Sequence, residues 1–393
     1  MIKAYKHKFF LSVAIGIIIH NIFYKNIIKD IDKLAISKDI KKELRNIKKY
    51  IYLAQNEILI DKYLNLETFK SDKPKISIVI PIYNGENYIK KTLISIQNQD
   101  LKDIEILMID DFSNDNSIKI IKELMKKDPR IVLYENEENK GILYTKSKGI
   151  YLCKGKYVII IDEDDMFGQR EALSTLYELA EKDNLDMLGF SAMFTESIDK
   201  NGFYIHHYYE TPIIFQPNIA QYSHNFTSTG KVSRTGDNIW CYLFKTELLN
   251  QTIFKIKTKY LKTKMICHED YLILFLITRN ANKLRQIKKI FYIKITYGKP
   301  KKYTTKSNDK NKMDLFCQSY INYIEFILKN TKNNFYDKKI SSFELDRYFL
   351  NHECINNTFI RKRAIKVCKL FIKNKYIEIN IKTRILKFLN GLH

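Results

Sequence analysis

Lys156-Tyr157-Val158-Ile159-Ile160-Ile161-Asp162-Glu163-Asp164-Asp165 decides how this chain of 393 residues is read. Its apolar run has the length and unbroken character of a parallel strand buried on both faces. The four acids that follow repel one another at neutral pH. They are tolerable together where a hard divalent cation and a ligand's phosphates complete the site, because Mg²⁺ and Mn²⁺ favour oxygen ligands. A solvated acidic turn is the plain alternative, and the segments upstream weigh against it.

Working outward, Lys75 to Ile80 is a β-branched run ending at Pro81, and Ile104 to Ile109 is a second run ending in Asp110-Asp111. Ile131 to Tyr134 gives a third strand and Tyr157 to Ile161 the fourth. Between them lie helical patterns over residues 85–99, from Ser113-Asn114-Asp115 to Lys127, and from Gly141 to Cys153. Strands alternating with helices of this length predict a doubly wound, parallel α/β sheet. Such sheets bind ligands outside the carboxyl ends of their strands. Pro81-Ile82-Tyr83-Asn84, Asp110-Asp111 and Asp162 to Asp165 all fall at such ends, which marks one sheet edge as the functional one.

Charge divides the chain. Of the net +23, residues 1–73 carry +7 and residues 299–393 carry +13, leaving +3 for the part that holds the acidic cluster. Basic flanks suit anionic lipid headgroups, acidic polymers or nucleic acid. Neither zinc-finger spacing nor an RNA-binding aromatic signature is present, so no nucleic-acid partner is expected and a membrane surface is preferred. The six cysteines are scattered without CxxC spacing and read as isolated buried thiols.

Phe9 to Tyr24 is a mostly apolar stretch behind three lysines, broken by His20 and Asn21. It is short of the roughly 20 residues a full span needs. Residues 1–24 read as a signal anchor holding a single-pass, type II protein in a Golgi/ER-like or cell membrane. The alternative is a cytoplasmic, peripheral protein with an amphipathic or buried helix there. Residues 25–73 read as a helical stem broken at Ser71-Asp72-Lys73-Pro74, residues 74–298 as the main domain, and residues 299–393 as a basic helical appendage. That appendage has three readings: docking on the domain, gripping an acidic acceptor, or lying on a membrane.

Ile78-Val79-Ile80-Pro81-Ile82-Tyr83-Asn84, Ile96-Gln97-Asn98-Gln99, Glu105 to Asp115 and Asn139-Lys140-Gly141 occur in that order before the acidic cluster. The series resembles family 2 glycosyltransferases with the GT-A fold, closely from about Lys75 to Phe194 and more loosely to Gly298. The resemblance implies a GT-A, Rossmann-like, mostly parallel sheet flanked by helices, and it makes Asp162 and Asp164 the two acids of a DxD motif. It implies a nucleotide-sugar site in which Tyr83 lies against the base and Pro81 and Asn84 shape the pocket. Asp111 accepts a hydrogen bond from the base ring, and Asp110 supports the strand end. Asp164 ligates Mn²⁺ or Mg²⁺, and Asp162 holds ribose or the metal's water. Asp165 reads as a helix cap. One departure stands out: where the family has a small-small-Arg-Asn stretch, this chain has Tyr144-Thr145-Lys146-Ser147. Lys146 keeps the charge near the nucleotide but loses the planar two-pronged donor.

Downstream, His268-Glu269-Asp270 resembles the family's acidic pair, with Asp270 as general base and Glu269 orienting it or touching the acceptor. A helix start favoured by the dipole is the plain alternative. Trp240, the only tryptophan, stacks on a sugar face or packs in the core, and His206, His207 and His224 read as solvated surface. The implied activity is inverting, divalent-metal-dependent transfer from a nucleotide-sugar, preferably UDP-linked, to a glycan, glycoprotein or glycolipid. The absence of a Gln-x-x-Arg-Trp run and of a bundle of spanning helices argues against a processive polysaccharide synthase. The rivals are a non-catalytic nucleotide- or sugar-binding relative and a nucleotidyltransferase. The latter would be expected to carry a Gly-rich basic loop where Tyr83-Asn84-Gly85-Glu86 stands.

Overall fold

The computed structural model describes residues 71–195, residues 238–295 except 257, 263, 266 and 267, the helices 310–330 and 358–373, and short pieces within 41–47, 203–206, 214–215 and 382–386. The proposed anchor at 9–24 and most of the stem at 25–70 lie outside these residues. Among the described residues, no helix is long and apolar enough to cross a membrane.

Strands β1 (Ile76–Ile82), β2 (Ile104–Asp110), β3 (Ile131–Glu135) and β4 (Tyr157–Ile160) are parallel and stand in the order 3-2-1-4. Helices α1 (Ile89–Gln97), α2 (Ser117–Met125) and α3 (Ile142–Leu152) alternate with them. β1 is buried at all of its positions, as a strand covered on both faces requires. Fully burying a side chain such as Ile78 or Ile80 contributes about 1.5–3 kcal/mol. Helix α3 crosses close above β1, since a Cβ on Gly149 would come within 2.4 Å of Val79 Cγ1.

The strand order reverses direction between β1 and β4, the crevice where ligands settle in such sheets. Pro81 helps to open it. β1 pairs with β4 only from Ile76 to Val79, whose carbonyl accepts the Ile161 N–H at 3.0 Å. Pro81, which has no N–H to donate, comes just beyond that last pairing, where a central strand can tolerate it.

The second half departs from the expectation of a mostly parallel sheet. It comprises β5 (Met166–Phe167), α4 (Ala172–Asp183), β6 (Met187–Thr195), β7 (Phe203–His206) and β8 (Ile214–Phe215), followed by β9 (Tyr242–Lys245), α5 (Thr246–Phe254), α6 (Glu269–Asn280) and β10 (Lys283–Ile295). β9 inserts antiparallel between β4 and β6, and β6 and β10 run parallel to each other. The described residues hold four parallel and five antiparallel ladders, so the sheet is mixed. The cause is local. β9 leaves a single 3₁₀ turn at Ile239–Cys241, runs back along β4, and passes into α5 where the Thr246 N–H meets the Lys156 carbonyl at 3.0 Å.

Helix α7 (Lys310–Asn330) docks beside α6. Phe326 makes edge contacts with Tyr260 and Phe275 at ring-centroid distances of 5.1 and 6.3 Å, and Tyr323 lies 5.8 Å from Tyr271. Helix α8 (Thr358–Lys373) packs on α7 and buries Val367 and Cys368. On the other side, Leu44 and Ile47 of the amino-terminal segment are buried, and Glu43 Oε1 accepts the Ile290 N–H at 2.9 Å and a Gln169 Nε2 hydrogen bond at 3.1 Å. Ile290 stands at a register shift in the β6–β10 ladder, so Glu43 meets an amide at a break in regular pairing. Cys317 is disulfide-bonded, unlike the isolated thiol expected, and its partner lies outside the described residues.

Candidate active site

Three loops build one side of the crevice. Those after β1 and β2 are laced together: the Asn84 N–H donates to Ser113 Oγ at 2.9 Å, the Asn114 N–H to Asn84 Oδ1 at 3.0 Å, and the Gly85 N–H to Ser117 Oγ at 2.8 Å. Asn84 and Phe112 hold left-handed backbone, at φ 54° and 66°, to make these turns. Tyr83 is half-buried on this rim, and the Phe112 ring, on the loop after β2, is exposed.

Asp110 and Asp111 are both buried, and they do different jobs. Asp110 Oδ2 accepts the Ser113 N–H at 2.9 Å and turns the chain out of β2. Burial pushes its carboxyl pKa up, against the hydrogen bonds from Ser113. Asp111 organises the third loop: Oδ1 accepts Asn136 Nδ2 at 2.9 Å and the Lys140 N–H at 2.8 Å, and Oδ2 accepts the Gly141 N–H at 2.8 Å. Contact with a base would use only the lone pairs left over. Gly141 is required at this turn, because its φ is +86° and a Cβ there would stand 2.8 Å from the Met265 carbonyl oxygen. That closeness ties α3 to the segment before α6, whose Met265 carbonyl also accepts the Ile142 N–H at 3.1 Å.

The acidic pair arrives on α6. His268, at φ 65°, precedes the helix and sets Glu269 and Asp270 in its first turn, where the helix dipole favours negative charge. Lys146 reaches them from α3, with Nζ 2.7 Å from Glu269 Oε1 and 2.6 Å from Asp270 Oδ1. Lys146 therefore spends its charge on the two acids, partners that the expectation of a nucleotide contact did not include. Its side chain is 2% exposed. Burial alone would discharge the ammonium, but Asp270, Glu269 and Asp162 outweigh burial and hold its pKa above the usual lysine value. The Asp270 carboxyl is pushed up to about 7: burial raises it, the Lys146 ammonium opposes, and Glu269 and Asp162 add to the rise.

Beyond β4, Asp162, Asp164 and Asp165 bring carboxylate oxygens within 4.8 Å of one another. Such a set of hard oxygen donors fits Mg²⁺ or Mn²⁺. Asp165 caps no helix, which corrects its expected role. It is buried, with Oδ2 accepting Tyr292 Oη at 2.8 Å and Lys294 Nζ at 2.7 Å, and Oδ1 accepting the Ile295 N–H at 3.1 Å. Lys294 Nζ also stands 2.8 Å from Asp162 Oδ2. Trp240 is 3% exposed, stacked on Tyr292 at 4.6 Å and 19°. It offers no open face to a sugar, so the core-packing reading holds for it.

Sequence reasoning missed Lys294, Tyr292 and Asn136. Tyr292 and Lys294 lie about 130 positions from the acids they touch, and the only local signal is a lysine set among apolar residues near the end of a strand-like run. Asn136, just after β3, carries the usual mark of a turn residue and nothing more.

Comparison with known proteins agrees with this construction. Residues 77–251 match the family model described as Glycosyl transferase family 2. Over 187 residues the chain is 34% identical to the glycosyltransferase GlyA of Streptococcus pneumoniae, covering 46% of this chain and 26% of that one. Over 117 residues it is 36% identical to the GalNAc(5)-diNAcBac-PP-undecaprenol beta-1,3-glucosyltransferase of Campylobacter jejuni, covering 30% and 38%. The chain thus spans less than half the length of these curated relatives. Staphylococcus aureus TarS 1–349, solved in complex with UDP, shares the fold with a TM-score of 0.55 at 17% identity, over 80% of this chain and 87% of that one. The motifs at the strand ends, the laced loops and the acidic cluster all fall within the stretch, residues 77–251, that matches glycosyl transferase family 2.

Proposed function

We propose that this chain transfers a glycosyl group from a nucleotide-activated sugar to a hydroxyl of a glycan or glycoconjugate, with inversion at the anomeric carbon. The observation that carries this reading is the electrostatic nearness of Asp162 to Lys146 and Asp270. Asp162 belongs to the acidic cluster beyond β4, yet it lies close enough to perturb both partners of the buried ion pair. Donor cluster and candidate base are therefore one site.

In this reading the loops after β1 and β2 hold the nucleoside, with Tyr83 against the base and Asp110 and Asp111 fixing the turns that shape the pocket. Asp164 and Asp162 would hold Mn²⁺ or Mg²⁺. When bound, the cation supplies positive charge against the leaving nucleoside diphosphate. Asp270 accepts the acceptor hydroxyl's proton as that oxygen bonds to the anomeric carbon and the bond to the diphosphate breaks. A carboxyl near pKa 7 suits the task, being about half ionised at neutral pH and basic enough to take a proton. Glu269 and Lys146 orient it. TarS has been solved with UDP and with UDP-GlcNAc, which makes UDP-sugars the first donors to try. The undecaprenol-linked acceptor in the Campylobacter relative's name, together with the basic flanks, supports a peripheral place at a membrane surface.

The test is release of free nucleotide by the full chain from a panel of UDP- and GDP-sugars, with and without Mn²⁺ and with mixed glycan acceptors. Mn²⁺-dependent release from one donor, lost in Asp164→Ala, is the expected result. Tight nucleotide binding with no release from any donor would favour a non-catalytic relative instead.

A further inference from the structure

Lys294 sits where a cation is wanted. Its side chain is 23% exposed, and its Nζ lies 2.8 Å from Asp162 Oδ2 and 2.7 Å from Asp165 Oδ2. Those two acids belong to the trio whose oxygens gather within 4.8 Å. Two further contacts hold the lysine there. Its Nζ lies 5.2 Å from the Trp240 ring centroid, and the neighbouring Ile295 N–H is bonded to Asp165 Oδ1 at 3.1 Å. The ammonium is therefore a built part of the acidic cluster.

We propose that Lys294 is a resident counter-ion that keeps the nucleotide-free cluster from holding a divalent cation, so that cation and diphosphate are taken up together. The physical case is electrostatic. An ammonium already neutralises part of the charge of three acids, occupies lone pairs on two of them, and repels a second cation brought to the same oxygens. A diphosphate adds negative charge and fresh oxygen ligands, which restores the attraction that Lys294 removes. Donor binding thus becomes the condition for tight cation binding. This inference rests on reading the cluster as the donor site.

The experiment is calorimetric titration of Mn²⁺ into the full chain, with and without UDP, for wild type, Lys294→Met and Lys294→Arg. Trp240 fluorescence gives a second readout, since this single tryptophan lies against Lys294 and Mn²⁺ is paramagnetic. Wild type is expected to bind Mn²⁺ at least about tenfold more tightly with UDP than without. Lys294→Met should bind Mn²⁺ without UDP at least about tenfold more tightly than wild type does, and Lys294→Arg should behave as wild type. Equal Mn²⁺ affinity in wild type with and without UDP overturns the proposal, whatever the variants do. So does unchanged or weaker nucleotide-free binding in a folded Lys294→Met that still takes up Mn²⁺ with UDP. Failure of every protein to bind UDP or Mn²⁺ together overturns the donor-site reading itself, which separates the two failures.

Discussion

Two lysines in this molecule each bridge a pair of carboxylates, and their surroundings set them apart. Lys146 joins Glu269 and Asp270 at 2.7 and 2.6 Å with 2% of its side chain exposed. Lys294 joins Asp162 and Asp165 at 2.8 and 2.7 Å with 23% exposed. The contacts are nearly identical, and the consequences differ because water reaches one and not the other. A sealed ammonium is a fixed structural element, since nothing can replace it. A half-open one can yield its partners to a stronger cation. In the proposed reading, the same ion-pair geometry holds a base in one place and keeps a place for a ligand in the other.

The largest expected effect breaks the sealed pair. Lys146→Met leaves two acids facing each other without a cation, and removing one partner of a buried ion pair typically costs about 3–5 kcal/mol. Urea unfolding should show that loss. Asp270→Asn should cut kcat/KM by roughly 10²–10⁴-fold, the usual worth of a positioned base, while leaving the Kd for UDP within about twofold by calorimetry. On the half-open side, Lys294→Met should cost only about 1 kcal/mol in the same unfolding measurement, because solvent screens the exposed side of the pair. A cost equal to that of Lys146→Met would abolish the distinction drawn between the two lysines.

The smallest effect is on pH. Asp270 must be ionised to take a proton, so kcat/KM should rise with pH through about 7. Burial raises the Asp270 pKa and the Lys146 ammonium lowers it, so removing that charge moves the rising limb of the profile to higher pH. Lys146→Met, measured well below its unfolding temperature, should show the displacement, and Lys294→Met should show little.

Much of the parallel half was legible because its information is local. The runs at 75–80, 104–109, 131–134 and 157–161 are each complete strands in themselves, and the observed boundaries differ by one or two residues. Pro81, Asp110 and Asp162 were legible as strand-end residues for the same reason. The antiparallel half was not, since nothing in Tyr242–Lys245 states which neighbour it joins or in which direction. Long-range pairings were equally silent. The pairing of Lys146 with Glu269 and Asp270 went unread because these acids are 123 and 124 positions away. Asp165 read as a cap because a local rule was the only one available, whereas Tyr292 and Lys294 come to it from another strand. Trp240 could be a platform or a core residue until Tyr292 was placed 4.6 Å from it.

The contact of Glu43 with Ile290 bears on how the protein can be shortened. A chain trimmed to begin at residue 71 looks natural on sequence grounds, because Pro74 follows and β1 starts at Ile76. Trimming there would strip the Ile290 amide and the Gln169 amide of the carboxylate that receives both, and would uncover the ground where Leu44 and Ile47 are buried. The exposed amide belongs to the same strand as Lys294, four residues along. A truncation chosen for convenience would therefore loosen the strand that delivers a charge to the acidic cluster, so activity lost in such a fragment is no measure of an anchor alone.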